Sequence, residues 1–164
     1  MSYLEDGIVS IEEIKVPTEE RFRKGRVAII ECVQEIPCNP CSDSCPRGAI
    51  TIEGSINNIP KIDFDLCNGC GICVANCPGL AIFLVDKSYS DEKALIGIPY
   101  EFVPLPEKGE EVIVLNRAGQ ACGEGIVEKI QNAKFQDRTA IVFIAVDRKL
   151  AMTVRFFRRK GNGK

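Results

Sequence analysis

The 164-residue chain contains no histidine. That excludes a His-assisted nucleophile, a His general base, a His zinc ligand and the two-His coordination of a Rieske centre. Long hydrophobic runs are also missing. The longest, Ala140 to Val146, has seven residues, against the roughly 18 or more that a membrane-spanning helix needs. The opening MSYLEDGIVSIEE has neither the basic nor the apolar stretch of an export signal. A soluble, cytoplasmic protein is expected, with no membrane contact. With 45% hydrophobic and 27% charged residues, the composition is globular and sufficient for one ordinary domain or two small ones.

Cysteine is abundant instead. Eight of the nine cysteines fall between positions 32 and 77, so the bias belongs to one segment. A disulfide framework suits an exported protein, whereas in the cytosol such a cluster points to metal or redox chemistry.

Residues 1–25 read as an N-terminal arm, packed on its own domain or docked on a partner subunit; their apolar residues follow no clear period. Residues 26–86 hold an internal repeat, seen when VAIIECVQEIPCNPCSDSCPRGAITIE is set beneath KIDFDLCNGCGICVANCPGLAIFLVD. Each half reads strand, cysteine loop, Cys-Pro, helical turn, strand, with Pro46 and Pro78 suited to the first turn of a helix. Residues 87–109, rich in glycine, proline and charge, read as a linker that settles into neither helix nor strand. Residues 110–164 read as a small all-β domain, its short antiparallel strands suggesting a barrel. The last of these strands is expected over Leu150 to Phe157, with Leu150, Met152, Val154 and Phe156 on one face. The fold class expected is therefore α+β, a pseudo-twofold cysteine-rich domain followed by a small antiparallel β-barrel-like domain.

Cys67, Cys70, Cys73 and Cys77, followed by Pro78, form a complete Cys-x2-Cys-x2-Cys-x3-Cys-Pro run. This is the spacing that holds cubane iron-sulfur clusters, the fourth cysteine serving the neighbouring cluster. Gly69 and Gly71 let the backbone come close. The second run is altered: Cys38, Cys41 and Cys45-Pro46 keep the spacing, but Glu35 stands where the first cysteine belongs. Cys32, three residues further back, is preferred as its replacement because thiolate suits iron-sulfur coordination; a Glu35 carboxylate or an open iron site is the alternative. One cluster would then take Cys32, Cys38, Cys41 and Cys77, and the other Cys45, Cys67, Cys70 and Cys73. Zinc sites pair two distant Cys-x2-Cys knuckles and do not call for this spacing. Cys41 and Cys45 lack the third cysteine of a radical-enzyme motif. Cys122 has no partner nearby and reads as a small buried side chain.

Residues 26–86 thus resemble a bacterial-type ferredoxin domain with two 4Fe-4S clusters. The match is highly specific in CNGCGICVANCPGLAIF and departs at its first ligand in ECVQEIPCNPCSDSCPRGAI. More narrowly, ECVQEIPCNPC with a β-rich extension is similar to the small iron-sulfur subunits of flavin-dependent amino-acid dehydrogenases of the proline and hydroxyproline kind, from anaerobic bacteria. That resemblance implies an electron-transfer subunit between flavoprotein subunits of a hetero-oligomeric oxidoreductase, with no catalytic residue of its own. A free-standing ferredoxin and a redox-sensing or structural iron-sulfur module are the alternatives. Ile36, Ile50, Ile72 and Ile82 are candidates for an apolar shield around the clusters.

The formal charge is -2, and two oxidised clusters with their thiolates bring it to about -6. From Arg148 to Lys164 there are seven basic residues and no acidic ones. So short a stretch, with only Phe156 and Phe157 interleaved, reads as a solvated or partner-facing edge and not as a nucleic-acid site.

Overall fold

A computed structural model describes residues 2–161, so Lys164 of the basic tail lies outside the described residues. In the first half-repeat a strand β1 (Val27–Ile30) leads through the cysteine loop to a short helix, and then to β2 (Ile50–Thr51). The second half repeats the order with β3 (Lys61–Ile62), another short helix and β4 (Ile82–Asp86). The pairing is crossed. β1 lies antiparallel to β4, with Val27 opposite Val85 and Ile30 opposite Ile82. β2 lies antiparallel to β3, with Ile50 opposite Ile62. Neither half can complete a strand pair alone.

The short helices precede the Cys-Pro steps instead of following them. Cys45 and Cys77 open turns in which their carbonyls accept from Gly48 N at 3.1 Å and Leu80 N at 3.2 Å. Proline disfavours helix in the residue before it and fits the second position of such a turn, which accounts for the shift. The two turns match down to the positive φ of Gly48 (60°) and Leu80 (52°).

The larger correction concerns residues 87–161. Residues 93–100, expected within a linker, form β5 (Lys93–Tyr100). Gly97 and Pro99 read as breakers but are each accommodated. A Cβ at Gly97 would come within 2.9 Å of Leu84 and of Phe143, so glycine allows the close crossing. Pro99 lies beyond the residues that pair with β4, so its missing N–H disrupts no bond there. After β5 come β6 (Glu111–Leu115), β7 (Ala121–Gln131), β8 (Ala140–Asp147) and β9 (Phe156–Arg159). Among the described residues no closed barrel forms. The strands join β1 and β4 in one seven-stranded antiparallel sheet, ordered β1-β4-β5-β8-β7-β6-β9. The expected strand from Leu150 breaks into a single helical turn at Arg148–Leu150 and a bend, with Asp147 capping the amide of Lys149 at 2.9 Å.

This sheet buries both faces. Val27, Ile29, Val85, Ile96, Val142 and Ile144 fill one core together with Val112, Val114, Val154 and Phe157. Ala28, Ile30, Ile82, Leu84, Ile141 and Phe143 face the other way, onto the cysteine-rich layer. The unbroken apolar run Ala140 to Val146 is thereby explained as β8, buried along its length and paired with β5 and β7.

The two ends of the sheet meet through charge. Glu31, directly after β1, takes a two-point fork from Arg117 at 2.6 and 3.0 Å and a third bond from Arg155 at 2.5 Å. All three side chains are largely buried. Two further residues of the basic tail are also engaged internally, Arg159 with Glu110 and Lys160 with Glu111 and Glu124. The N-terminal residues lie on their own chain: α1 (Tyr3–Asp6) is followed by α2 (Glu19–Arg23), which sinks Phe22 into the first core.

Removing one member of a buried ion cluster leaves the others unpaired, a loss of about 3–5 kcal/mol. Glu31→Ala is therefore expected to lower unfolding stability by that order, read as a fall in the urea midpoint with unchanged slope. A change under about 1 kcal/mol would show that Arg117 and Arg155 find water instead.

Candidate iron-sulfur site

Eight cysteines gather in two sets. The helices that order them are α3 (Pro40–Asp43) and α4 (Ile72–Asn76), each a single turn carrying a buried cysteine, Cys41 and Cys73. Cys32, Cys38, Cys41 and Cys77 line one cavity, with Ile30, Gln34, Ile36, Asn58, Pro60, Pro78 and Ile82. Cys45, Cys67, Cys70 and Cys73 line a second, with Ala28, Pro46, Arg47, Ala49, Ile50, Asn68, Gly69 and Gly71. Both spaces are small, about 30 and 20 Å3. Glu35 is exposed and absent from the lining, whereas Cys32 forms part of it. Of the four isoleucines, Ile36 and Ile82 border the first cavity and Ile50 the second, while Ile72 borders neither. Cys122 stands apart in β7, half-buried, its thiol 3.6 Å from the carbonyl of Val114. All nine cysteines are free thiols.

Each set couples electrostatically within itself. Burial, followed by the proximity of Cys77, pushes the Cys41 thiol up to about 11. Burial, followed by Cys67, Cys70 and Cys45, pushes Cys73 up to about 12. Cys32 is raised for the same reasons, burial first and then Cys77. Thiols so placed ionise only with a cation among them, because four neighbouring thiolates in a dry cavity need opposite charge. Among the described residues no three cysteine or acidic side chains converge closely enough to hold a single metal ion. A polynuclear group with several cationic centres suits the wider thiol cage.

Backbone amides point at the sulfurs. Ala49 N lies 3.3 Å from Cys45 Sγ, Ala81 N 3.4 Å from Cys77 Sγ and Ala28 N 3.5 Å from Cys67 Sγ. The first two follow the matched turns, whose positive-φ residues, Gly48 and Leu80, turn the next amide toward sulfur. Such donors stabilise the negative charge of a ligated thiolate. Gly69 is held to the same purpose: a Cβ there would lie 2.6 Å from the carbonyl oxygen of Arg26. The residues fit an iron-sulfur group in donor chemistry, burial and amide orientation.

Residues 31–81 match the family model described as a 4Fe-4S dicluster domain. Among relatives, the ferredoxin-type protein NapF of Haemophilus influenzae is 41% identical over 61 residues, 36% of this chain and 35% of that protein. An uncharacterised ferredoxin of Methanocaldococcus jannaschii is 33% identical over 78 residues, 43% of this chain and 45% of its own. The pyruvate synthase subunit PorD of Methanothermobacter marburgensis is 45% identical over 47 residues, 29% of this chain and 51% of that subunit. The chain spans about a third of the length of the first of these. No solved structure matches. These relatives support a ferredoxin-type domain and give no support to the narrower amino-acid dehydrogenase resemblance.

Four functional side chains escaped the sequence reading. Arg21 donates to four backbone carbonyls, those of Phe64 at 2.5 Å, Cys67 at 2.6 Å, Gly25 at 3.1 Å and Arg26 at 3.3 Å. Gln131 of β7 donates to the carbonyl of Cys70 at 3.2 Å, and Arg117 and Arg155 hold Glu31, the neighbour of Cys32. No local spacing marks them, because the partners that tie them to the cysteine loops, Phe64, Cys67, Cys70 and Glu31, are distant in sequence.

Gly69→Ala combines a backbone clash with a positive φ of 67°. It is expected to cost roughly 1–3 kcal/mol and to speed hydrogen exchange at Ala28, whose amide leans on Cys67. Unchanged exchange at that amide would show that the loop shifts freely.

Proposed function

We propose that the chain holds two 4Fe-4S clusters and works as an electron-transfer subunit of a multi-subunit oxidoreductase. Cys32, Cys38, Cys41 and Cys77 would hold one cluster, and Cys45, Cys67, Cys70 and Cys73 the other. The observation that carries this is the sorting of eight thiols into two cavities, each taking one cysteine from the opposite half-repeat. When bound, such clusters accept and release single electrons without a bond being made or broken. The chain then contributes shielding by Ile30, Ile36, Ile50 and Ile82, amides aimed at sulfur, and a fixed separation between the two sites. No acid, base or nucleophile is required, which accords with a chain lacking histidine.

The partners we propose are flavoprotein subunits in the cytoplasm. A fixed subunit is favoured over a free carrier by the build of residues 87–161. Their strands brace both cysteine loops, through Gln131 at Cys70 and through Arg117 and Arg155 beside Cys32. One relative is a pyruvate synthase subunit, which supports membership of a redox complex without favouring amino acids as substrates. Among the described residues no helix is long and apolar enough to cross a membrane.

Anaerobically purified protein is expected to carry about eight irons and eight labile sulfides per chain, and to give two interacting half-spin signals by EPR after dithionite reduction. Cys32→Ser should lose about half the iron, and Glu35→Gln none. Retention of all iron in Cys32→Ser together with loss in Glu35→Gln would give the ligand role to the carboxylate. Co-purification of flavin with the chain from its native cells tests the partner class, and a chain that elutes alone and flavin-free would favour the free-standing carrier.

A further inference from the structure

The two cavities differ in charge, and the difference centres on Arg21. This side chain is only 8% exposed, yet among the described residues no carboxylate lies within 4 Å of it. Its guanidinium is satisfied entirely by carbonyls, one of them that of Cys67 in the second cavity, at 2.6 Å. A buried guanidinium normally takes an anionic partner, since carbonyls satisfy its hydrogen bonds without neutralising its charge. A second cation, Arg47, lines the same cavity. The lining of the first cavity, beyond its thiols, is uncharged. The nearest buried cations found there, Arg117 and Arg155, share Glu31, and none of their hydrogen bonds reaches a residue lining that cavity.

We propose that Arg21 is a positioning residue that serves as the internal counter-cation of the second cavity, making it the site where a single added electron rests. The inference depends on the two-cluster reading above. One-electron reduction adds one negative charge and changes no bond, and Arg21, largely buried although it also borders a surface depression with Asp63 and Asp65, stabilises that charge along a path that salt screens little. The second site therefore has the higher reduction potential. The first site, with an uncharged lining, faces the donor in the order of transfer. Carbonyl capture by Arg21 also fixes the loop carrying Cys67, so charge and geometry have to be separated.

The test is an EPR-monitored potentiometric titration of the intact chain, with dithionite as the one-electron donor. Cys38→Ser and Cys70→Ser identify which signal belongs to which cavity. Arg21→Gln is expected to shift the second-cavity midpoint to lower potential and leave the first in place, and Arg21→Lys to restore most of the shift. The shift should persist at high salt. Arg47→Gln, a change at an exposed side chain, should move the same midpoint in the same direction by less, and keeps the test available if Arg21→Gln does not fold. Unchanged second-cavity midpoints at full iron content, or equal shifts at both sites, would overturn the inference alone. An iron content near half would overturn the two-cluster reading and the inference with it.

Discussion

Because β1 pairs with β4 and β2 with β3, each half-repeat supplies what the other lacks. The same crossing sends Cys77 to the first cavity and Cys45 to the second, so strand pairing and thiol grouping are two results of one topology. About sixty residues with two-residue strands β2 and β3 bury too little apolar surface for comfortable stability alone. Two remedies are built in. One is the cross-linking that clusters held in the thiol cages would supply, and the other is the long sheet that continues from β4 through β5 to β8 and covers the cysteine layer with Leu84, Ile141 and Phe143.

That second remedy changes what residues 87–161 are for. They form no barrel beside the cysteine-rich layer but extend its sheet and reach back to both sites. Ile141 packs so closely on Gly71 that a Cβ there would sit 2.7 Å from its terminal carbon. Gln131 holds the carbonyl of the neighbouring Cys70. The geometry of the second thiol cage is thus referred to β7 and β8, while the first is referred to the arginines that flank β6 and β9. A rigid frame around the two thiol cages keeps their spacing constant whatever docks outside.

Cysteine spacing made the site legible, because ligand order along the chain is a local property that the crossed fold preserves. The replacement proposed for Glu35 rests on a similar argument: Cys32 closely follows a recognisable strand, and the loop after it can bend at Pro37. The elements missed were those in which composition and context disagree. Gly97 and Pro99 look like breakers until Leu84 and Phe143 are seen to press on the one, and the other is found beyond its neighbour's reach. The proline after each outer cysteine was compatible with a helix start or a turn, and only the matched positive φ of Gly48 and Leu80 separates the two. Arg21 could not be found at all, since its partners are carbonyls, which every residue carries.

The contact between Glu31 and Arg155 joins positions 124 residues apart. On a ribosome, all the thiols of both cages emerge well before that contact can form. For this interval the strand that leads into Cys32 has its partner β4 but an unpaired carboxylate at its end, and the sheet is open along β5. Contacts of such long range are slow to form, so the nascent chain passes through a stage in which the cysteines are available and the frame that fixes them is not. Loading with iron and sulfur before that frame closes would meet a pliable cage, and loading afterwards a rigid one. The order of the two events would therefore decide how far the cages can still adjust.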